Sequence, residues 1–139
     1  MTINVGINGM GRIGRMVIRA IFESQNKNIK IKHINNKSNS EASCTLIKHD
    51  SVHGKFNADL DYNENHLIIN KNKITFSQES KIEHINWKKF GVDYVFECTG
   101  KFNSKDKLKL HLTNGAKKVI VSAPCKNADK TIVFGVNES

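Results

Sequence analysis

This 139-residue chain is short of several features, and each shortage removes a class of protein. It has no stretch of 18 uninterrupted apolar residues, so no segment reads as a membrane-spanning helix. Its opening, MTINVGINGM, lacks the basic flank and apolar run of a secretory leader. A soluble, untargeted, cytoplasmic protein with no membrane partner is therefore expected. The three cysteines, Cys44, Cys98 and Cys125, form neither a CxxC pair nor an even-numbered framework. Free thiols in a reducing compartment follow, with no disulfide scaffold and no metal site. The only proline is Pro124, and no repeat or low-complexity linker divides the chain, which fits one domain.

Acidic residues are also few. With 22 Lys and Arg against 13 Asp and Glu the formal charge is +9. Clustered positive charge supplies the sequence-independent part of nucleic-acid affinity. Here the lysines are scattered among asparagines, as in NKNIKIK and NENHLIINKNK, without interleaved aromatics or a basic helix. A solvated lysine surface is the reading, with no nucleic-acid partner, though the charge helps attract phosphorylated metabolites.

What the chain has is an alternation of short β-branched runs with helical patterns, the mark of βαβ units. The fold class read from it is α/β, a Rossmann-type doubly wound, mainly parallel sheet. The first strand is placed over Ile3 to Asn8, and Ile13, Val17, Ala20 and Ile21 recur at helical spacing. Ile29, Ile31 and Ile34 mark the next strand. Ser38 and Glu41 have capping-box spacing before a helix containing Ala42, Leu46 and Ile47. After a loop, DSVHGKF, the runs LII and ITF around NKNK read as a hairpin. DYVFE and KVIVSA are buried strands joined by a helix from near Ser104 to near Gly115, and TIVFGV is a last strand.

Between the first strand and first helix stands VGINGMGRIGR. In such a turn Gly9 permits the tight bend, Gly11 lets backbone approach a pyrophosphate, and Gly14 lets helix and strand lie close. Exposed N–H groups at the helix start then bind phosphate. A lone GxGxxG is weak evidence. The strand before it, the helix after it and a second strand ending about 20 residues on complete the dinucleotide fingerprint. That fingerprint expects an acid at the end of the second strand, on the adenosine ribose 2′-hydroxyl. The position falls on Asn36, an amide that bonds a hydroxyl without repelling a 2′-phosphate, and Lys37 beside it attracts one. The cofactor is read as NAD or NADP.

NGMGRIGR, IKHDSVHGKF, the ECTGKF run, KKVIVSAP and VFGVNES, in that order, resemble the amino-terminal part of a phosphorylating glyceraldehyde-3-phosphate dehydrogenase. The related erythrose-4-phosphate dehydrogenase shares many of these motifs. The resemblance implies that Arg12 and Ile13 present backbone N–H groups to the pyrophosphate, with the Ile13 side chain against the nicotinamide. It places Thr99 and Gly100 along the nucleotide, with Phe102 near them and Ser122 toward the nicotinamide ribose. It implies a phosphorylated triose substrate and a homotetramer for the full-length protein.

Three departures accompany the resemblance. Asn36 replaces the usual Asp, Ser80 in QESKIEH stands where an arginine usually approaches adenine, and Cys98 replaces a serine. Two of them fall at the adenosine end, where they bear on cofactor choice. The family's nucleophilic cysteine lies in an S-C-T-T-N motif that this chain lacks. Cys44, in ASCTL on an expected helix, is not its equivalent, and Cys98 is expected to be a small buried residue behind the site. No catalytic residue is assigned. The expectation is a truncated dehydrogenase, its catalytic domain lying beyond Ser139, that binds cofactor without catalysing. The competing readings are a noncatalytic nucleotide-binding module and a basic nucleic-acid-binding protein.

Overall fold

The computed structural model describes residues 2–24, 26–50 and 54–132. Strand β1 (Ile3–Asn8) leads to helix α1 (Arg12–Glu23) and strand β2 (Ile29–Asn35), then to helix α2 (Ser40–Lys48). Two short strands follow, β3 (His49–Asp50) and β4 (Gly54–Lys55), then β5 (Leu60–Asn63), β6 (His66–Ile69) and β7 (Asn72–Ser77). A 3-10 turn at Ile82–His84 precedes β8 (Tyr94–Glu97), helix α3 (Lys105–Thr113) and β9 (Lys118–Val121).

Among the described residues seven strands form one sheet in the order β5-β6-β7-β2-β1-β8-β9. The run from β7 to β9 is parallel, while β5, β6 and β7 pair antiparallel. The expected mainly parallel, Rossmann-type sheet is thus present, with an antiparallel extension at one edge. β1 lies between β2 and β8, so the chain leaves it toward one side and later returns on the other. Such a reversal opens a crevice at the carboxyl ends of the central strands. Asn8 is level with Asn35 of β2 and Glu97 of β8, which puts three polar side chains side by side there.

Alternation along β1 divides the interior. Val5 and Ile7 enter a core with Ile18, Ile31, Ile34, Ile47 and Phe76. Gly6 faces the other way because nothing larger fits: a Cβ there would lie 2.5 Å from Cζ3 of Trp87. Trp87, fully buried, centres a second core with Ile85, Val92, Val95 and Ala116. Both faces of the central strands are therefore covered, as a parallel sheet requires.

Four details differ from the sequence reading. The cap of α2 is Asn39, whose side chain accepts from the Ala42 N–H at 2.8 Å, rather than Ser38, which stands one residue too early. The loop DSVHGKF is pinched at its ends by the β3–β4 pairing, with residues 51–53 outside the described residues. Strand β5 escaped notice because its LDYN is largely exposed and shows no apolar alternation. The hairpin itself is as expected. Asn70 and Lys71 adopt φ of 49° and 69°, the left-handed pair that a two-residue turn between twisted strands demands. The expected strand TIVFGV is not formed at Thr131 and Ile132, and its remainder lies outside the described residues, as does the whole of VFGVNES.

Candidate functional site

The cleft at the carboxyl ends of β1, β2 and β8 is lined by Gly9, Gly11, Asn36, Lys37, Ser80, Thr99 and Phe102, all anticipated from sequence. Arg12, Ile13 and Gly14 continue from it as the first turn of α1, and Gly100 joins Thr99 to Lys101 with φ of 74°. Ser122 is not part of the wall: it follows β9, and its hydroxyl donates to the Glu97 carbonyl at 3.3 Å. Cys98, expected behind the site, is buried and adds to its lining, and Asn8, Met10, Asn35, Glu79, Ile82, Ile85 and Lys101 complete it without having been anticipated.

The glycines are explained by distances. Gly9 has φ of 98°, and a Cβ there would meet the Thr99 backbone nitrogen at 2.8 Å. A Cβ on Gly14 would lie 2.1 Å from the Gly9 carbonyl oxygen. Gly11 is different, since its Cβ would meet only the Cys98 carbonyl oxygen, at 3.9 Å. No neighbour among the described residues demands glycine at that position. It is the N-cap of α1, with no side-chain cap hydrogen bond and no acid in the first turn. A helix leaves its first N–H groups without intrahelical partners, and its dipole favours an anion there by about 0.3–1 kcal/mol. Uncapped donors, a residue without a side chain and an adjoining cleft fit a pyrophosphate. Beside them Ile13 is 49% exposed, an apolar side chain standing over the turn.

Asn36 ties the end of β2 to the glycine turn. Its Oδ1 accepts from the Met10 N–H and its Nδ2 donates to Ser43 Oγ, both at 3.1 Å. Beneath the cleft runs a chain of buried polar groups. Asn35 Nδ2 donates to Asn8 Oδ1 at 2.9 Å, and Asn8 Nδ2 donates to Glu97 Oε1 at 2.7 Å. Glu97 also receives the Thr99 N–H at 3.1 Å and faces His111 Nε2 at 2.9 Å. The Trp87 indole can only donate, and does so to His111 Nδ1 at 2.9 Å. The His111 proton is thereby assigned to Nε2, where it donates to Glu97. The carboxylate at the centre of this set holds Thr99 against the cleft.

The network continues to His33, between Thr75 Oγ1 at 2.7 Å and Ser77 Oγ at 2.8 Å, with its ring stacked on Phe90 at 3.9 Å. Burial lowers its pKa from 6.5 to about 4. A neutral ring donates to one of these two hydroxyls, whose own protons go to the Lys32 carbonyl at 2.9 Å and to Asn35 Oδ1 at 2.6 Å. Below pH 6.5 the unfolded state takes up a proton that the folded state refuses, so stability is lost as pH falls from 6.5 to about 4. About 3 kcal/mol follows from that difference. Urea titrations across this window are expected to show the loss in the wild type and a shallower one in His33→Gln; parallel curves would refute the assignment.

Two of the three cysteines are buried thiols. Burial pushes the Cys98 thiol up to about 11, and burial also raises Cys44, on α2. Neither carries the thiolate that attack on a carbonyl needs. Among the described residues no group of three or more metal-ligating side chains occurs, and no helix is long and apolar enough to cross a membrane.

Residues 3–105 match the family described as glyceraldehyde 3-phosphate dehydrogenase, NAD binding domain. The chain is 46% identical over 134 residues to the glyceraldehyde-3-phosphate dehydrogenase of Thermotoga maritima, covering 96% of this chain and 40% of that protein. It is 44% identical over 138 residues to that of Geobacillus stearothermophilus, covering 99% and 41%. For that of Cereibacter sphaeroides the identity is 45% over 139 residues, covering 100% and 41%. The chain thus spans about 40% of the length of these relatives.

Proposed function

Because the chain belongs to the glyceraldehyde-3-phosphate dehydrogenase family through its NAD-binding domain, we propose that it is the cofactor-holding part of a phosphorylating aldehyde dehydrogenase. Its cleft takes a nicotinamide dinucleotide, NAD or NADP, across the carboxyl ends of the central strands. The observation that carries this is the uncapped start of α1 beside Gly11, where donors face the cleft and no side chain intrudes. Backbone N–H groups of Arg12 and Ile13 hold the pyrophosphate, and the Ile13 side chain bears on the nicotinamide. Thr99, Gly100 and Phe102 line the nucleotide, Ser80 lies toward the adenine, and Ser122 fixes the end of β8 through its bond to Glu97. When bound, the nicotinamide supplies a hydride acceptor.

In the whole enzyme the substrate is a phosphorylated triose, oxidised and phosphorylated to an acyl phosphate by a thiolate from a second domain. The high thiol pKa of Cys98 and the burial of Cys44 support placing that nucleophile elsewhere. This chain alone binds cofactor without turning over, and the full-length protein is a homotetramer. Three unpaired cysteines support a reducing, cytoplasmic setting.

Asn36 decides whether the 2′-phosphate is admitted. Aspartate at this site keeps the acceptor for Met10 N–H and takes the Ser43 hydroxyl proton, so the turn survives the change. Its charge repels a phosphate 4 Å away by about 4 kcal/mol at an effective dielectric of 20, less where water screens it. Titration calorimetry is expected to give binding of both cofactors by the wild type and at least a tenfold weaker NADP affinity in Asn36→Asp. An NADP affinity indifferent to that substitution would remove this account of the end of β2.

A further inference from the structure

The cleft carries a second positive group that the motifs did not single out. Lys37 follows the end of β2 and Lys101 follows the end of β8, so the two stems rise from opposite lips of one crevice. Both backbones are fixed. The Lys37 carbonyl accepts from Gln78 Nε2 at 3.0 Å, and the Lys101 N–H donates to Thr99 Oγ1 at 3.1 Å. Both line the same cleft, and the Lys37 side chain, through a hydrogen bond first and its charge second, is the main cause of a lowered Lys101 pKa. Among the described residues the one acidic side chain in the lining, Glu79, has its carboxylate directed to His84, 3.8 Å from Nδ1, while its backbone bonds Asn35. Asn36, at the base of the pair, adds no charge.

We propose that Lys37 and Lys101 form a two-lysine seat for the phosphomonoester on the adenosine ribose, giving the chain a preference for NADP over NAD. This rests on the dinucleotide reading of the cleft and adds to it the residue from the far lip. A dianionic phosphate between the two ammonium groups replaces their mutual repulsion by two attractions, whereas the bare 2′-hydroxyl of NAD leaves them opposed. The mixed placement matters: a single surface lysine offers a mobile charge, but two stems anchored in the loops after separate strands define a position.

The test is calorimetric titration of the 139-residue chain with NAD, NADP, adenosine 2′-monophosphate and adenosine 5′-monophosphate, at low and high ionic strength. The wild type is expected to bind NADP at least tenfold more tightly than NAD, and the 2′-phosphate more tightly than the 5′-phosphate, both preferences shrinking with salt. In Lys101→Gln, and equally in Lys37→Gln, the ratio of NADP to NAD affinity falls about tenfold, with Lys101→Arg restoring most of it. Circular dichroism of these exposed-residue variants checks that the fold is kept. NAD bound as tightly as NADP by the wild type overturns the lysine seat alone. A ratio unmoved by Lys101→Gln does the same. Failure to bind either dinucleotide overturns the cleft reading as well.

Discussion

Gly14→Ala is expected to abolish measurable dinucleotide binding and to lower the unfolding free energy by about 1–3 kcal/mol, the range for an overpacked interior site. Helix propensity points the other way, since alanine exceeds glycine by about 1 kcal/mol inside a helix. Contact decides. The added carbon would stand 2.1 Å from the Gly9 carbonyl oxygen and 3.2 Å from its carbon, both backbone atoms that move only if the turn moves. That turn cannot retreat easily. Gly9 already holds φ of 98°, its N–H donates to the Asn35 carbonyl at 2.8 Å, and its far side faces the Thr99 backbone. The strain therefore falls on the donors that face the cleft. Gly11→Ala is the informative companion, because its Cβ has only the Cys98 carbonyl near it, at 3.9 Å. Its stability should stay near wild type while cofactor affinity drops, since the lost space belongs to the ligand. Denaturant titrations and NAD calorimetry on both proteins separate the two roles, and a Gly14→Ala protein as stable as wild type would contradict the packing argument.

Glu97→Ala should be costlier still. It leaves three donors, Asn8 Nδ2, His111 Nε2–H and the Thr99 N–H, without their acceptor in the interior. At about 1–3 kcal/mol for each unsatisfied buried group, a loss of at least 3 kcal/mol is expected. Glu97→Gln isolates geometry from charge. Its oxygen can keep Asn8 and His111, but its NH2 then faces the Thr99 N–H, so one bond in three becomes a clash of donors. An intermediate loss of stability follows, together with weaker cofactor binding as Thr99 shifts on the cleft wall. Unfolding curves and NAD titrations of the three proteins give the order. If the glutamine variant matched alanine, or if both matched wild type, the carboxylate would not be the centre of this network.

The parts of the fold legible in the sequence were those fixed by local pattern. Ile3–Asn8 and Arg12–Glu23 follow from apolar spacing around a glycine turn, and the hairpin follows from polar residues able to adopt positive φ. Strand β5 was not legible, because its neighbour supplies the pairing that its own exposed residues do not announce. The cap of α2 was misplaced by one residue, since Ser38, Asn39 and Ser40 are all competent caps and only the path of the chain selects among them. In the cleft, Gly9, Gly11 and Thr99 carry motif letters, whereas Asn8, Asn35 and Lys101 become neighbours only when β2, β1 and β8 align.

By itself the sequence determined the glycine turn, the βαβ alternation, the absence of an acid after β2 and the family to which these belong, because each is a matter of residue type at short separation. The tertiary structure decided which polar groups share the interior and which charges face one another across the cleft. Glu97 meets Asn8 from 89 positions away, and Lys101 comes to Lys37 from the opposite lip, through strand order alone. Parallel pairing brings together strand ends that are remote along the chain, and no spacing rule within one segment encodes that encounter.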